Sequence, residues 1–234
     1  MTAVAVIPAR GGSKRVPRKN VRDFNGRPMI AWPIATAIAS GAFDRVVVST
    51  DDDEIAAAAE AAGAEVPFRR PADLADDHTP TVPVIAHAVG ELGLADDRGT
   101  AVCCIYPATP LLTSADLHAG LAAWHQRPGR FAFCAYDPGL PICRAVVVGD
   151  DGAAAWLAPE HARTRSQDLP RTLLDAGWYY VGAGASWASA VSILEGATPV
   201  EIDRARAVDI DTEEDWQRAA ALAAGAGGSV PSRR

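Results

Sequence analysis

Two stretches of this chain hold residues whose types and spacing could do chemistry. The first, Ile7 to Asn20, reads IPARGGSKRVPRKN and sets Arg10, Lys14, Arg15, Arg18 and Lys19 around the pair Gly11-Gly12, with Ser13 as a neutral donor. So many like charges in one turn are costly to hold without an anion. The glycines allow positive φ and a close backbone approach to a ligand, and consecutive N–H groups in such a turn can form an anion-binding nest. A triphosphate is the simplest anion that satisfies the whole set. The spacing is neither GxxxxGK[ST] nor GxGxxG, so the commoner phosphate loops are excluded. The second stretch is Val208-Asp209-Ile210-Asp211-Thr212. On a strand, residues two apart share a face, and two like charges that close raise one pKa unless a cation sits between them. Magnesium suits such a pair, because it takes one or two carboxylates together with phosphates and water. Asp211 could equally sit beside a Thr212 helix cap, where the helix dipole favours an acid.

Three further polar stretches interrupt the apolar pattern. FRRPADLADDHTPT carries Arg69, Arg70, Thr79 and Thr81, and by itself reads as a solvated loop with a proline turn. CIYPATPL brings Tyr106 to the end of a buried run, where sheets of parallel strands bind their ligands. RTRSQDLP, followed by DAGWYY, carries Arg163, Arg165, Gln167 and Tyr179 and reads either as a surface loop or as a reaching segment. The five histidines show no ligand spacing.

The elements that must position these residues alternate between short apolar runs and helical stripes, the pattern of βαβ units around a mostly parallel sheet. Strands are expected at Ala3–Ile7, Arg45–Thr50, Glu65–Phe68, Ala101–Tyr106, Phe131–Tyr136, Arg144–Val148, Trp178–Val181 and Val208–Ile210. A first helix should begin at Pro28 and end at Gly41, with Pro33 kinking it. A second should start from an Asp51/Glu54 capping arrangement and end at Gly63. Stripes at Val82, Ile85, Ala86, Val89 and Leu92, and at Leu117, Leu121 and Trp124, mark two more. Thr212 with Asp215 should cap a last helix bearing Trp216, Ala219, Ala220 and Ala223. Gly149 to Arg171 lacks a period and reads as an excursion from the sheet.

Composition narrows the function classes. The 234 residues are 49% hydrophobic and 22% charged with a net charge of −7, ordinary for one globular domain. Outside the first loop nothing suggests a nucleic-acid surface. No apolar run approaches the ~20 residues of a membrane span, and no signal peptide is visible, so the cytoplasm is the expected compartment. The four cysteines follow no metal-binding spacing, and Cys103, Cys104 and Cys134 fit as small core residues.

The string from Ile7 to Asn20 resembles the N-terminal signature of the nucleotidylyltransferases that make CMP-activated nonulosonic acids, the CMP-sialic acid synthetase group. RRPADLADD resembles the family's R-P-x-x-L-x-x-D element, and IDTEEDW its metal-binding IDT-x-x-D-W context. CIYPATPL resembles Q-P-T-S-P-L, with Tyr106 where sialic acid enzymes have glutamine; with RSQDLP and Asp175-Ala176-Gly177 it is closer to the pseudaminic acid branch. The resemblance implies a three-layer α/β/α nucleotide-diphospho-sugar transferase (Rossmann-like) fold, one domain over residues 1–224 and a dimerisation and sugar-contact excursion at 137–171; the Gly, Ser, Pro and Arg of 225–234 read from composition as a flexible tail. It implies CTP and a nine-carbon sugar acid as substrates, Mg2+ on Asp209 and Asp211, and a homodimer. Arg10, Lys14, Lys19 and Asp211 would act in catalysis. Ala9, Gly11, Gly12, Ser13, Asn20, Arg70, Thr79, Thr81, Tyr106, Arg163, Arg165, Gln167 and Tyr179 would bind substrate, with Arg163 or Arg165 meeting the sugar carboxylate. Another sugar acid (sialic, legionaminic or 3-deoxy-manno-octulosonic) is the alternative acceptor, and a non-catalytic nucleotide-binding regulator the alternative role.

Overall fold

A computed structural model describes residues 2–225. The sheet is built from β1 (Ala3–Pro8), β4 (Arg45–Ser49), β5 (Ala101–Ile105), β6 (Ala132–Tyr136), β9 (Leu174–Ala183) and β10 (Thr198–Glu201), in the order β10-β6-β9-β5-β1-β4. β1 pairs parallel with β4 and β5, and β10 parallel with β6, whereas β9 runs antiparallel to both its neighbours. Residues 3–7 of β1 are all buried because helices cover both faces of the sheet. Ala3, Ala5 and Ile7 face α1 (Ala31–Ser40), α2 (Asp53–Ala61) and α4 (Ser114–Gln126). Val4 and Val6 face α3 (Thr81–Glu91) and Trp187 of α5 (Gly184–Ser189). The expected three-layer α/β/α architecture is therefore present. Cys103, Cys104 and Cys134 are buried, unbridged core residues.

A third apolar cluster lies at one end of the sheet. Val16, Phe24, Met29, Val208, Ile210 and Trp216 pack together there, joining the cationic loop to α6 (Glu213–Gly225). Phe24 belongs to β2 (Asp23–Phe24), which pairs with β3 (Arg27–Pro28) as a short ribbon. Trp216 stands edge-on to Phe24 with centroids 5.3 Å apart, under the guanidinium of Arg22 at 4.4 Å.

Several local expectations change. Pro28 ends the β3 ribbon, and α1 begins at Ala31, so Pro33 falls in the first turn, where its missing N–H costs nothing and no kink is forced. Gly41 does close α1, at φ 62°. The cap of α2 is Asp52, not Asp51: its carboxylate accepts from the Ile55 N–H at 2.9 Å. Glu65 makes only an isolated bridge to Val47, since Pro67 cannot extend a ladder. Val146–Val148 (β7) pairs with Ala154–Trp156 (β8) in a hairpin apart from the main sheet, within the expected excursion. Val208–Ile210 joins no ladder; Val208 and Ile210 are buried while Asp209 is exposed, an alternation that imitates a strand. The expected tail lies, from residue 226, outside the described residues. Among the described residues, no helix is long and apolar enough to cross a membrane.

Asp116 fixes the turn between β5 and α4. It completes a capping box with Thr113 and takes both ends of the Arg206 fork at 2.9 and 3.0 Å. Burial alone would raise its carboxyl, but the bonds from Arg206 and Thr113 hold it below the usual range. Asp116→Ala leaves a partly buried guanidinium without its partner and uncaps α4. We expect a loss of about 2–4 kcal/mol in urea unfolding, whereas replacing the exposed Asp96 should change it by less than about 0.5 kcal/mol.

Candidate functional site

The carboxyl ends of β1, β4 and β5 open into one cleft of about 470 Å³. Its walls are the cationic loop after β1, the loop at Arg70 to Thr79, the start of α3 at Thr81, the Tyr106-Pro107 turn after β5, and Asp211. Ligands of open α/β sheets bind at this edge of the strands. Arg10, Ser13, Lys14, Lys19 and Asn20 all line it, as the sequence suggests. Ala9 is fully buried beneath the loop, its N–H donating to the Ser49 carbonyl at 3.0 Å.

The loop is held by partners from both ends of the chain. Asn20 Nδ2 donates to the Arg10 carbonyl at 3.0 Å, and Lys19 Nζ to the Ile210 carbonyl at 2.6 Å. Arg18, at φ 53°, reaches away from the cleft to Asp52 at 2.6 Å and to Glu54. Neither Gly11 nor Gly12 has positive φ, contrary to expectation. Gly11 is required by crowding instead: a Cβ there would lie 2.6 Å from Asp52 Oδ2. Nor do the N–H groups all converge on the cleft, since Ser13 donates to the Gly11 carbonyl at 3.1 Å and Gly11 lies 3.4 Å from Asp51 Oδ1.

Asp211 reaches the cleft and faces two cations, Arg15 at 3.0 Å and Lys19 at 3.7 Å. Asp209 is one step back. Although the residue reaches solvent, partial desolvation of its carboxyl by the surrounding segment and then the charge of Asp211 raise that carboxyl above the usual value. The segment is anchored by the Trp178 indole, which donates to the Val208 carbonyl at 3.1 Å. Gly177, which lies against the Asp209 carboxylate, takes the left-handed backbone that favours glycine, at φ 64°. Among the described residues no group of three or more His, Cys, Asp or Glu side chains is arranged to hold a metal.

The opposite wall carries Arg70, Thr79, Thr81 and Tyr106. Arg70 is buried, bonded to Ser49 Oγ at 3.3 Å and to the Ser49 carbonyl, and burial pushes its guanidinium down to about 10. Thr79 is engaged with Asp76 at 2.7 Å. The Thr81 and Tyr106 hydroxyls bond each other, and burial pushes the Tyr106 phenol up to about 12, so it stays neutral near pH 7. Behind Tyr106 stands Tyr180, centroids 5.6 Å apart, which donates to Asp175 at 2.6 Å. Tyr179, expected at the substrate, faces the opposite side of the sheet and is fully buried in the core with α4, because neighbours on a strand alternate faces. Arg163, Arg165 and Gln167 are exposed on the excursion and line no wall of this cleft; Arg165 pairs with Asp168 at 3.1 Å. Sequence reasoning gave no role to Asp77 or Tyr180 and did not tie Gly177 to Asp209. Asp77 was legible as the acid closing R-P-x-x-L-x-x-D, while Gly177 and Tyr180 gave no signal beyond an aromatic strand.

This α/β/α fold, with a cationic loop set against acidic residues in one cleft, is that of a nucleotide-handling transferase. A family model described as "Cytidylyltransferase" matches residues 4–137, more than half the chain, and the chain belongs to that family. It is 37% identical to the pseudaminic acid cytidylyltransferase of Campylobacter jejuni subsp. jejuni serotype O:2, over 95% of this chain and 96% of that protein. The CMP-N,N'-diacetyllegionaminic acid synthase of Legionella pneumophila is 29% identical over 92% and 94% of the two chains. The fold matches a solved CMP:2-keto-3-deoxy-manno-octonic acid synthetase complexed with CTP, with a TM-score of 0.72 at 20% identity, covering 97% of this chain and 100% of that one.

Two outcomes follow from this geometry. Gly11→Ala drives a methyl into the Asp52 carboxylate, which both caps α2 and holds Arg18, so stability should fall by about 1–3 kcal/mol in denaturant titration. Asp209→Asn should stabilise the metal-free protein at pH 7. A carboxyl raised on folding favours the folded state below its unfolded value near 3.9 and loses that contribution as pH rises through the folded value. The gain in Tm should therefore be present at pH 7 and absent near pH 3 in thermal scans.

Proposed function

We propose that this chain transfers CMP from CTP to pseudaminic acid, a nine-carbon 2-keto sugar acid, releasing pyrophosphate. The observation that carries the reading is the 37% identity, spanning 95% of the chain, to a pseudaminic acid cytidylyltransferase. The anomeric oxygen of the sugar forms a bond to the α-phosphorus, the bond from that phosphorus to the bridging oxygen of pyrophosphate breaks, and the sugar hydroxyl gives up its proton. Positioning and charge stabilisation supply most of the catalysis in such a transfer. Arg10, Lys14 and Lys19 clamp the triphosphate, with the Gly11 to Ser13 backbone beside it. Arg70 lies against the nucleotide, where its planar fork can stack and donate. Asp209 and Asp211 fit Mg2+, which prefers one or two carboxylates plus phosphates and water and would neutralise phosphate charge when bound.

The sugar sits toward Tyr106. With its hydroxyl already bonded to Thr81, the ring presents a largely apolar face, suited to a deoxy carbon and acetamido methyl groups rather than to a hydroxyl-rich acid. The hairpin of β7 and β8 exposes Val146, Val147, Val148 and Trp156, and a second copy of the chain is its natural cover. In such a homodimer Arg163, Arg165 and Gln167 would reach the neighbour's sugar. The cytoplasm, where CTP is at hand, is the compartment that suits this reaction.

Steady-state pyrophosphate release with saturating CTP and a panel of sugar acids tests the reading. Pseudaminic acid should give the highest kcat/KM, with N-acetylneuraminic acid lower by about 10²-fold or more. Equal or better turnover of sialic, legionaminic or 3-deoxy-manno-octulosonic acid reassigns the acceptor, and no turnover of any acid leaves a nucleotide-binding regulator. Excess EDTA should abolish release, and Asp211→Asn should lower kcat by roughly 10²-fold with folding intact.

A further inference from the structure

The cations of the phosphate loop already hold a carboxylate. Asp77 Oδ1 lies 2.8 Å from Arg10 Nη1, and its other oxygen bonds Lys14 Nζ. One side chain thus occupies the two charges that the triphosphate needs, from the facing wall of the same cleft. Arg10 also donates to the carbonyl of Asp76, so the loop bearing Asp77 rests directly on the cationic loop. The Lys14 bond in particular holds the Asp77 carboxyl below the usual range, so it is ionised near pH 7.

We infer that Asp77 is a displaceable counterion of the nucleotide site: it neutralises Arg10 and Lys14 while the cleft is empty, gives them up to the incoming triphosphate, and so sets the affinity for CTP. This rests on the function proposed above and adds a residue to it.

The energetics favour exchange. Lys14 is 82% exposed and Asp77 27% exposed at the side chain, so the pair is well solvated and worth little by itself. A triphosphate brings several negative charges to the same two donors and makes stronger charge-assisted bonds. The two anions cannot share the site, because like charges at contact repel even in a solvated cleft. Asp77 must swing away, and breaking its two ion pairs is subtracted from the affinity. The carboxylate also explains how five clustered cations coexist in the empty protein without unfolding the loop, a part that Asp52 and Glu54 play for Arg18 on the other side.

The sign of the effect separates this role from its rivals. If Asp77 only pre-orders Lys14 and Arg10, its removal weakens CTP. If it helps to hold a divalent ion on the phosphates, its removal weakens CTP only when magnesium is present. As a displaced counterion, its removal strengthens binding in both conditions.

The test is calorimetric titration of the full chain and of Asp77→Asn with CTP, CMP and inorganic tripolyphosphate, in Mg2+ and in EDTA. Asp77→Asn should bind CTP and tripolyphosphate about two- to tenfold tighter at low ionic strength, in line with an exposed pair. CMP should change less, and the gain should shrink in 0.5 M NaCl. Asp73→Asn makes the same change in net charge on the same loop without touching the cations, and should leave affinity unchanged. Weaker or equal CTP and tripolyphosphate binding by Asp77→Asn, or an equal gain from Asp73→Asn, overturns the inference. Tighter tripolyphosphate binding with no CTP binding by either protein keeps the counterion and removes the cytidylyltransferase reading; no binding of either ligand removes both.

Discussion

Positive charge crowded at the end of one strand is the constraint on which this structure turns. Five cations stand in the ten residues 10–19 that follow β1, and each has at least one acidic partner. Arg18 goes outward to Asp52 and Glu54; Arg15 and Lys19 go to Asp211; Arg10 and Lys14 go to Asp77. The acids come from three separate segments, so the charge problem of one loop organises the start of α2, the wall after Arg70 and the approach to α6. The apolar cluster of Val16, Phe24, Ile210 and Trp216 ties the loop to the approach to α6 beneath the polar layer.

The interior of the sheet was legible because its signal is local. β1, β4 and β5 are apolar runs buried on both faces, and α4 carries its Leu117, Leu121 and Trp124 stripe inward as its period demands. What the sequence hid depends on tertiary context. β9 is ten residues long and reversed, but only its Trp178 to Val181 centre has the composition of a strand. β10 is a four-residue edge strand containing Pro199, and α5 has a single buried large side chain in Trp187. Val208 to Ile210 alternates like a strand because Trp178 and Lys19 hold its carbonyls, work that a ladder would otherwise do.

The site was legible to the same degree. The cationic loop, Arg70, Thr81, Tyr106 and Asp211 meet in one cleft, since each follows a strand end or a helix start that the pattern locates. Tyr179 was misplaced by one residue of strand register: the face that meets Tyr106 belongs to Tyr180. The pairing of Asp52 and Asp77 with the loop cations was hidden for a different reason, although Asp77 closes the R-P-x-x-L-x-x-D element. An acid in a polar loop looks alike whether it meets water or a lysine, and the difference exists only once the chain is folded.

The ties between the loop and the last helix also set a timetable for the protein's making. Lys19 bonds the carbonyl of Ile210, and Arg22 grips Glu213 at 2.6 and 2.8 Å, each pair separated by 191 positions in the chain. At ordinary ribosomal speeds, about 10–40 s pass between the emergence of the first partner and the second. During that interval the N-terminal half can build β1, α1 and β4 from short-range contacts, but the floor beneath its basic turn is missing. Nascent chains therefore gain a finished cleft only once α6 has been made, and a message cut short before α6 yields a product that lacks it.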